Sequence, residues 1–297
     1  MTPSTSQANT PLPADKAQKW VSEVSGLVSP PDVCITVFEL VESNTATARA
    51  LGEVISRDPS LTARLLKLVN SAFYHFSKRI DTVSRAVTVI GISELYSLVI
   101  AVSAIKSFSK IPNYLINIDT FWRHSLYCGL IARIIARRSN VLHPERLFVA
   151  GLLHDIGSLV MFDQAPHEAR DLLLAAQGDE DILYLSEIKE FGFSHADLGG
   201  LLLGDWNLPA ALRDAVQHHH RPEAAGIGKM EAAIVHIANA LANRSDLGSF
   251  FEIPAQDVFI DEAAWTEARL DPDEVNLEQI ISEAGLQFAD SVNVFCG

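Results

Sequence analysis

The chain is short of cysteine, of basic charge, of long apolar runs and of alternating strand patterns, and each shortage removes a class of protein. Its three cysteines, Cys34, Cys128 and Cys296, are odd in number and far apart. They build neither a disulfide framework nor a cysteine zinc knuckle, so reduced, buried thiols are expected. Basic residues number 23 against 37 acidic ones, for a formal charge of −14. Generic polyanion binding needs clustered Lys and Arg to release counterions, so no nucleic-acid partner is expected. Charge-free apolar stretches fall well short of the ~18 residues that a spanning helix needs. The opening MTPSTSQANTPLPADKAQKW also lacks a basic-then-apolar signal pattern. The expectation is a cytoplasmic protein with no membrane partner.

What is present is 297 residues, 48% of them apolar. That is enough for one large or two modest domains at roughly 100–200 residues each. The charge is unevenly spread. Residues 1–150 hold 16 basic and 11 acidic groups (+5), leaving 7 and 26 (−19) for residues 151–297. Such asymmetry suggests two parts facing different surroundings. Apolar residues recur at helical spacing, as in Val33, Val37, Leu40 and Val41 or Ala48, Leu51, Val54 and Ile55. With no short repeat and no convincing strand, the sequence predicts an all-α fold of two packed helical subdomains.

Punctuation places the pieces. Residues 1–15, rich in Ser, Thr and Pro, read as a disordered arm. A first helical subdomain is expected over 16–112, a second over 113–250, and a C-terminal extension over 251–297. Asp58-Pro59-Ser60 predicts a capped helix start, and Asn70 and Ser71 near its end read either as partners for the backbone of the following loop or as a solvent-facing C-terminal cap. Gly91 separates two helices, with Ser93 a candidate cap for the second. Ser194 is another candidate cap, and a helix is expected after Pro209. Arg133, Arg137 and Arg138 form a run that reads as a solvated helix face or as a meeting point for an acidic partner.

The most informative chemistry is His154-Asp155 within AGLLHDIGSLV, a polar pair in the middle of an apolar helix. Burying it without partners is expensive. A metal site is one reading, with imidazole and carboxylate joined by His124 from the preceding helix and a fourth group from a later one. A buried His–Asp hydrogen bond with no metal is the other. His195 follows the Ser194 cap, and His218-His219-His220 end a helix. They read either as gathered ligands or as solvated groups at a helix C-terminus.

The order of these features is similar to the HDOD family, the signalling-output relatives of HD-domain metal phosphohydrolases. The resemblance rests on Phe121-Trp122-Arg123-His124, AGLLHDIG, Ser194-His195-Ala196-Asp197-Leu198-Gly199, Trp206, Leu208-Pro209 and His218-His219. ISRDPSLTARLLKLVNSAFY and SRAVTVIGISELYSLVIAVS resemble the family's N-terminal half. It covers roughly residues 25–225 and implies that the second subdomain is HD-like.

In HD hydrolases the ligands are a His, the His-Asp pair and a distal Asp. The matching positions here are His124, His154, Asp155 and Asn239, with His195 and His219 as further candidates. Asn239 supplies a neutral oxygen where a carboxylate would offset a divalent charge, so affinity drops unless another acid compensates. The cyclic-dinucleotide phosphodiesterase branch carries a Lys soon after its His-Asp and a Gly-Tyr-Pro after its double His. This chain has Ser158 and RPEAAG instead. The resemblance therefore implies a bacterial signal-transduction module with a degenerate metal site, no catalytic residue and no required cofactor, leaving room for weakly held Fe, Mn or Mg. It would act through protein contacts, with a sensor kinase, response regulator or cyclic-di-GMP turnover protein as partner. The rival is a divergent metal-dependent phosphohydrolase or phosphodiesterase.

Overall fold

The computed structural model of the chain describes residues 13–25, 32–43, 45–71, 74, 76, 78–108, 115–249 and 260–295. Among these residues there is no strand. The helices are α1 (Pro13–Ser25), α2 (Asp32–Glu42), α3 (Ala48–Ile55), α4 (Pro59–Val69), α5 (Val83–Ile90), α6 (Ile92–Phe108), α7 (Ile118–Arg138), α8 (Glu145–Leu153), α9 (Ile156–Gln164), α10 (Pro166–Ala176), α11 (Glu180–Phe191), α12 (His195–Asp205), α13 (Ala210–Gln217), α14 (Lys229–Asn243), α15 (Glu262–Glu267) and α16 (Leu277–Phe295). The all-α expectation holds. Of the arm expected over 1–15, residues 1–12 lie outside the described residues and the last three open α1. Cys34 and Cys128 are buried free thiols. Cys296 and Pro112 are outside the description.

Local signals set the helix ends. Asp58 Oδ1 accepts from the amides of Ser60 and Leu61 at 2.9 and 3.0 Å, with Pro59 in the first turn. Asn70 clamps the following loop, its Nδ2 donating to Ile80 O and its Oδ1 accepting from Ile80 N, both at 2.7 Å. Gly91, at φ +90°, breaks α5 from α6 in a conformation that L side chains rarely adopt. The second helix starts two residues earlier than the Ser93 cap predicted, so Ser93 lies inside it.

The first half packs α3 on α5, α4 on α6, and α2 on both α3 and α6. In the second half α7 packs on α8 and α14, α9 on α12, and α13 on α12 and α14. The halves meet where α6 lies on α8. Two terminal helices cross the linear order of the chain. Although first in sequence, α1 packs on α9 and α12, its Trp20 standing edge-on to Phe191 and Phe193 at 5.2 and 5.1 Å. At the other end α16 folds over α7 and α4, and Tyr127 donates from α7 to Ile281 O at 2.9 Å. The segment Glu145–Gln164 is long and apolar enough to cross a membrane, but it is the core pair α8–α9 and is largely buried inside the fold.

Arg133 departs from the solvated face expected of it. It is 3% exposed, with its guanidinium 5.4 Å from the Tyr74 ring. Tyr74 donates to Glu94, which is also buried. Burial, opposed by Tyr74 and Arg133 and assisted by Glu145, pushes Glu94 up to about 7. Between about pH 4.5 and 7 the unfolded chain ionises this carboxyl while the folded chain keeps its proton, so stability falls as pH rises through that window. A shift of this size corresponds to about 3 kcal/mol at most. Glu94→Gln lacks that titration. Its stability relative to wild type, measured by urea unfolding at pH 5 and pH 8, should rise by about 2–3 kcal/mol between the two.

Candidate metal centre

His154 and Asp155 do not sit inside one helix, as the apolar run predicted. They occupy the break between α8 and α9, where Asp155 has φ −97° and ψ 7°. The break turns both side chains toward the groove made by α7, α12 and the turn after α13. Two glycines allow the close packing that this requires. A Cβ on Gly151 of α8 would stand 2.7 Å from Gly129 Cα of α7, and one on Gly157 of α9 would stand 2.0 Å from His195 O.

Each imidazole is pinned through Nδ1. His124 Nδ1 bonds Gly248 O at 2.6 Å, His154 Nδ1 bonds Gly151 O at 2.7 Å, and His219 Nδ1 bonds Val216 O at 2.7 Å. His195 Nδ1 bonds the buried Glu187 at 2.6 Å, beneath the Ser194–Asp197 capping box that starts α12. Carbonyls and carboxylates only accept, so the Nδ1 atoms carry the hydrogens and the neutral rings present bare Nε2 lone pairs. Those lone pairs converge on Asp155. Its Oδ2 is 3.1 Å from His154 Nε2 and 3.5 Å from His124 Nε2, which are themselves 3.3 Å apart. Its Oδ1 is 3.4 Å from His195 Nε2 and 3.6 Å from His219 Nε2. His220 Nε2 approaches His195 Nε2 at 3.0 Å, and its ring stacks on Tyr184.

Acceptors facing acceptors require a cation or bound protons between them. Burial opposes charging His154 and His195, but the carboxylates prevail: Asp155 holds His154 well above the usual imidazole range, and Glu187 with Asp155 lifts His195 to about 9. Burial and the neighbouring imidazolium charges press His219 and His220 down. Asp155 itself is held low, since His154 and the surrounding imidazoles outweigh its burial. His219 Nε2 is buried with no hydrogen-bond partner among the described residues.

Nitrogen and oxygen donors about 2.1 Å from a shared metal lie roughly 3.0–3.4 Å from one another. The His124, His154 and Asp155 atoms have that spacing without rearrangement. His195, His219 and His220 form a second group whose ligand atoms all lie within 4.8 Å of one another. Asp155 bridges the two, so the residues fit one or two divalent ions.

Of the candidates from the sequence, the structure brings together His124, His154, Asp155, His195 and His219. The solvated reading of the terminal histidines fails for His219, which is 1% exposed. Asn239 is close but turned to another partner: its Nδ2 donates to Glu180 Oε2 at 2.5 Å, while its Oδ1 accepts from Asn243 at 3.2 Å. The sequence reading missed Glu180 and Glu187. His220, named with the triple-histidine run, does reach the cluster. The two glutamates lie in ordinary helical sequence, and nothing local marks them.

A helical groove that gathers histidines around an adjacent His-Asp defines an HD-type domain. The HDOD domain profile matches residues 27–222. The chain belongs to the HDOD domain family. It is 27% identical over 193 residues to an uncharacterized protein of Treponema pallidum (strain Nichols), covering 64% of this chain and 37% of that protein. It thus spans little more than a third of that relative's length. Two solved structures share the fold. A Shewanella amazonensis SB2B protein named "Putative phosphohydrolase" superposes with a TM-score of 0.70 at 23% identity, covering 93% of this chain and 97% of that one. A Marinobacter aquaeolei VT8 protein named "Putative signal transduction protein" gives 0.73 at 17% identity, covering 96% and 66%.

Proposed function

We propose that this HDOD protein is a cytoplasmic signal-transduction module that acts by contacting other proteins, its HD-type centre holding divalent metal as a structural element. The observation that carries this reading is the electrostatics of the groove. Foremost among the groups acting on Asp155, His154 and His195 are one another, His124, Glu180, Glu187 and the buried neutral thiol of Cys128. Ser158 stands where the phosphodiesterase branch has lysine, and Asn239 where an aspartate is expected. Phosphoryl transfer develops negative charge on non-bridging oxygens and needs cationic stabilisation beside the metal. With metal on their Nε2 atoms the imidazoles are neutral, and a groove lined by them, carboxylates and amides supplies little of it. The centre ties α7, α8, α12 and the turn after α13 to one point, which fixes the surface that those helices present. A sensor kinase, response regulator or cyclic-di-GMP turnover protein is the class of partner that suits such a module.

The second reading, a divergent phosphohydrolase, is favoured by one feature, the bridging of two histidine groups by Asp155. The test is metal analysis of protein purified without chelator, followed by assays on phosphomonoester, nucleotide and cyclic-dinucleotide substrates with Mn²⁺ or Fe²⁺. The expected result is bound metal without turnover. Turnover that His154→Ala abolishes in a folded variant establishes the enzyme instead.

A further inference from the structure

A pocket of about 260 Å³ lies apart from the histidine cluster, at a joint between the two halves of the molecule. Cys34 and Phe38 reach it from α2, Tyr96 and Ser103 from α6, and Asp205 and Trp206 from the end of α12. Trp206 closes the joint, its ring centre 6.1 Å from that of Phe108 of α6. Three aromatic rings therefore line one space, with Phe38 and Tyr96 standing 6.3 Å apart. The thiol in the wall is neutral: Cys34 donates to Ser103 Oγ at 2.8 Å, and burial pushes it up to about 11. Among the described residues that line the pocket, Asp205 carries the one charge. Its exposed carboxylate accepts from Gln18 Nε2 at 3.5 Å and from Ser25 Oγ at 3.4 Å. Both contacts are long for hydrogen bonds, so most of the accepting capacity of this acid is left over.

Size and charge select the occupant. A cavity of ~150 Å³ holds benzene, and drug-sized molecules need ~300 Å³ or more. The space here takes one aromatic ring with a short side chain. Aromatic faces attract cations, and the acid at the rim does the same. No Lys or Arg is among the lining residues, so a phosphate or carboxylate meets no counter-charge and a nucleotide does not suit the pocket. We propose that this pocket binds a small aromatic amine, its ring among Phe38, Tyr96 and Trp206 and its ammonium group against Asp205. Such an occupant bridges α2 and α6 of the first half to the end of α12. The other end of that helix begins with His195, ~15 Å away at 1.5 Å per residue. A chemical input is thereby added to the protein-contact reading, and the site stands whether or not the histidine centre holds metal.

The test is fluorine NMR on the full chain with para-fluorophenethylamine, the matching alcohol and para-fluorophenylacetate, which share one ring and differ in charge. A ligand of about ten heavy atoms should bind with a Kd of roughly millimolar or below. The amine should bind most tightly, and the acetate about tenfold more weakly, since attraction to Asp205 becomes repulsion. Asp205→Asn should weaken the amine by about three- to fivefold, the scale of one exposed ion pair, and leave the alcohol unchanged. Ile35→Trp at the exposed rim and Ala104→Leu on α6 each add bulk to the lining and should remove binding of all three; thermal melts confirm folding, and either variant suffices if the other is unstable. Binding of none of the three by the wild type at millimolar concentration overturns the proposal. So does an order in which the amine is not first, an amine affinity indifferent to Asp205→Asn, or binding that survives in a folded filled-pocket variant.

Discussion

Asp155→Asn should abolish cation binding at both positions while its cation-free form stays folded at neutral pH. The Asp155 carboxylate faces both histidine groups, Oδ2 toward His124 and His154 and Oδ1 toward His195 and His219, and asparagine replaces this bridging carboxylate by one neutral oxygen and one donor. The expected loss is at least about a hundredfold in Mn²⁺ or Zn²⁺ affinity, beyond the ~10–100-fold typical of residues that only orient a ligand. The consequence is visible as stability. A ligand at a hundred times its Kd adds about 2.7 kcal/mol. In a chain of this size each kcal/mol moves Tm by roughly 2–4 °C. Wild-type protein should therefore melt roughly 5–10 °C higher with saturating metal than with chelator, and Asp155→Asn should show no such difference. A metal-induced shift retained in the variant places the cation elsewhere.

Gly157→Ala should be the most damaging single methyl group in the second half. Its Cβ would stand 2.0 Å from the carbonyl oxygen of His195 and 2.4 Å from the amide nitrogen of Gly199. Both are backbone atoms of α12, so no side-chain rotation relieves the clash. The helix must move away from α9, and it carries His195 with it, opening the 3.4 Å approach to Asp155. Overpacking ordinarily costs about 1–3 kcal/mol, and a clash with backbone falls at or above the top of that range. Urea unfolding should show a loss of about 3 kcal/mol or more, with cation affinity falling in parallel. Alanine at Gly204 makes a useful contrast, because its Cβ would meet only the flexible Arg213 side chain at 3.4 Å. Equal effects from the two substitutions would rule out the close α9–α12 approach as the cause.

Local structure was legible wherever a short-range rule applies. The Asp58 cap, the Asn70 clamp, the Gly91 break and the Ser194 start of α12 each follow from neighbouring residues, because a capping group and its amides are fixed by a few residues of chain. The cluster was legible in outline, since His124, His154, Asp155, His195 and His219 fall in a family-like order. The helix break at His154-Asp155 was not. Apolar residues run on through both helices, and periodicity does not register where the backbone turns to aim two side chains into a groove. Arg133 shows the same blindness. Its sequence neighbours Arg137 and Arg138 suggest a wet face, while its actual partners, Tyr74 and Glu94, are 59 and 39 residues upstream and come from the other half of the molecule.

By itself the sequence determined that the chain is helical, where α4, α12 and α13 start, and which residue types gather in the second half, because these depend on spacing and composition along the chain. Tertiary structure alone decided that the Nδ1 atoms are pinned so that the Nε2 lone pairs meet at Asp155. It also decided that Asn239 faces an acid supplied by α11, and that α1 and α16 cross to elements far from them in sequence. Coordination and charge balance depend on distances of a few ångströms between helices. Those distances are set by backbone contacts such as Gly157 against α12, which leave no trace in the order of residues except a glycine.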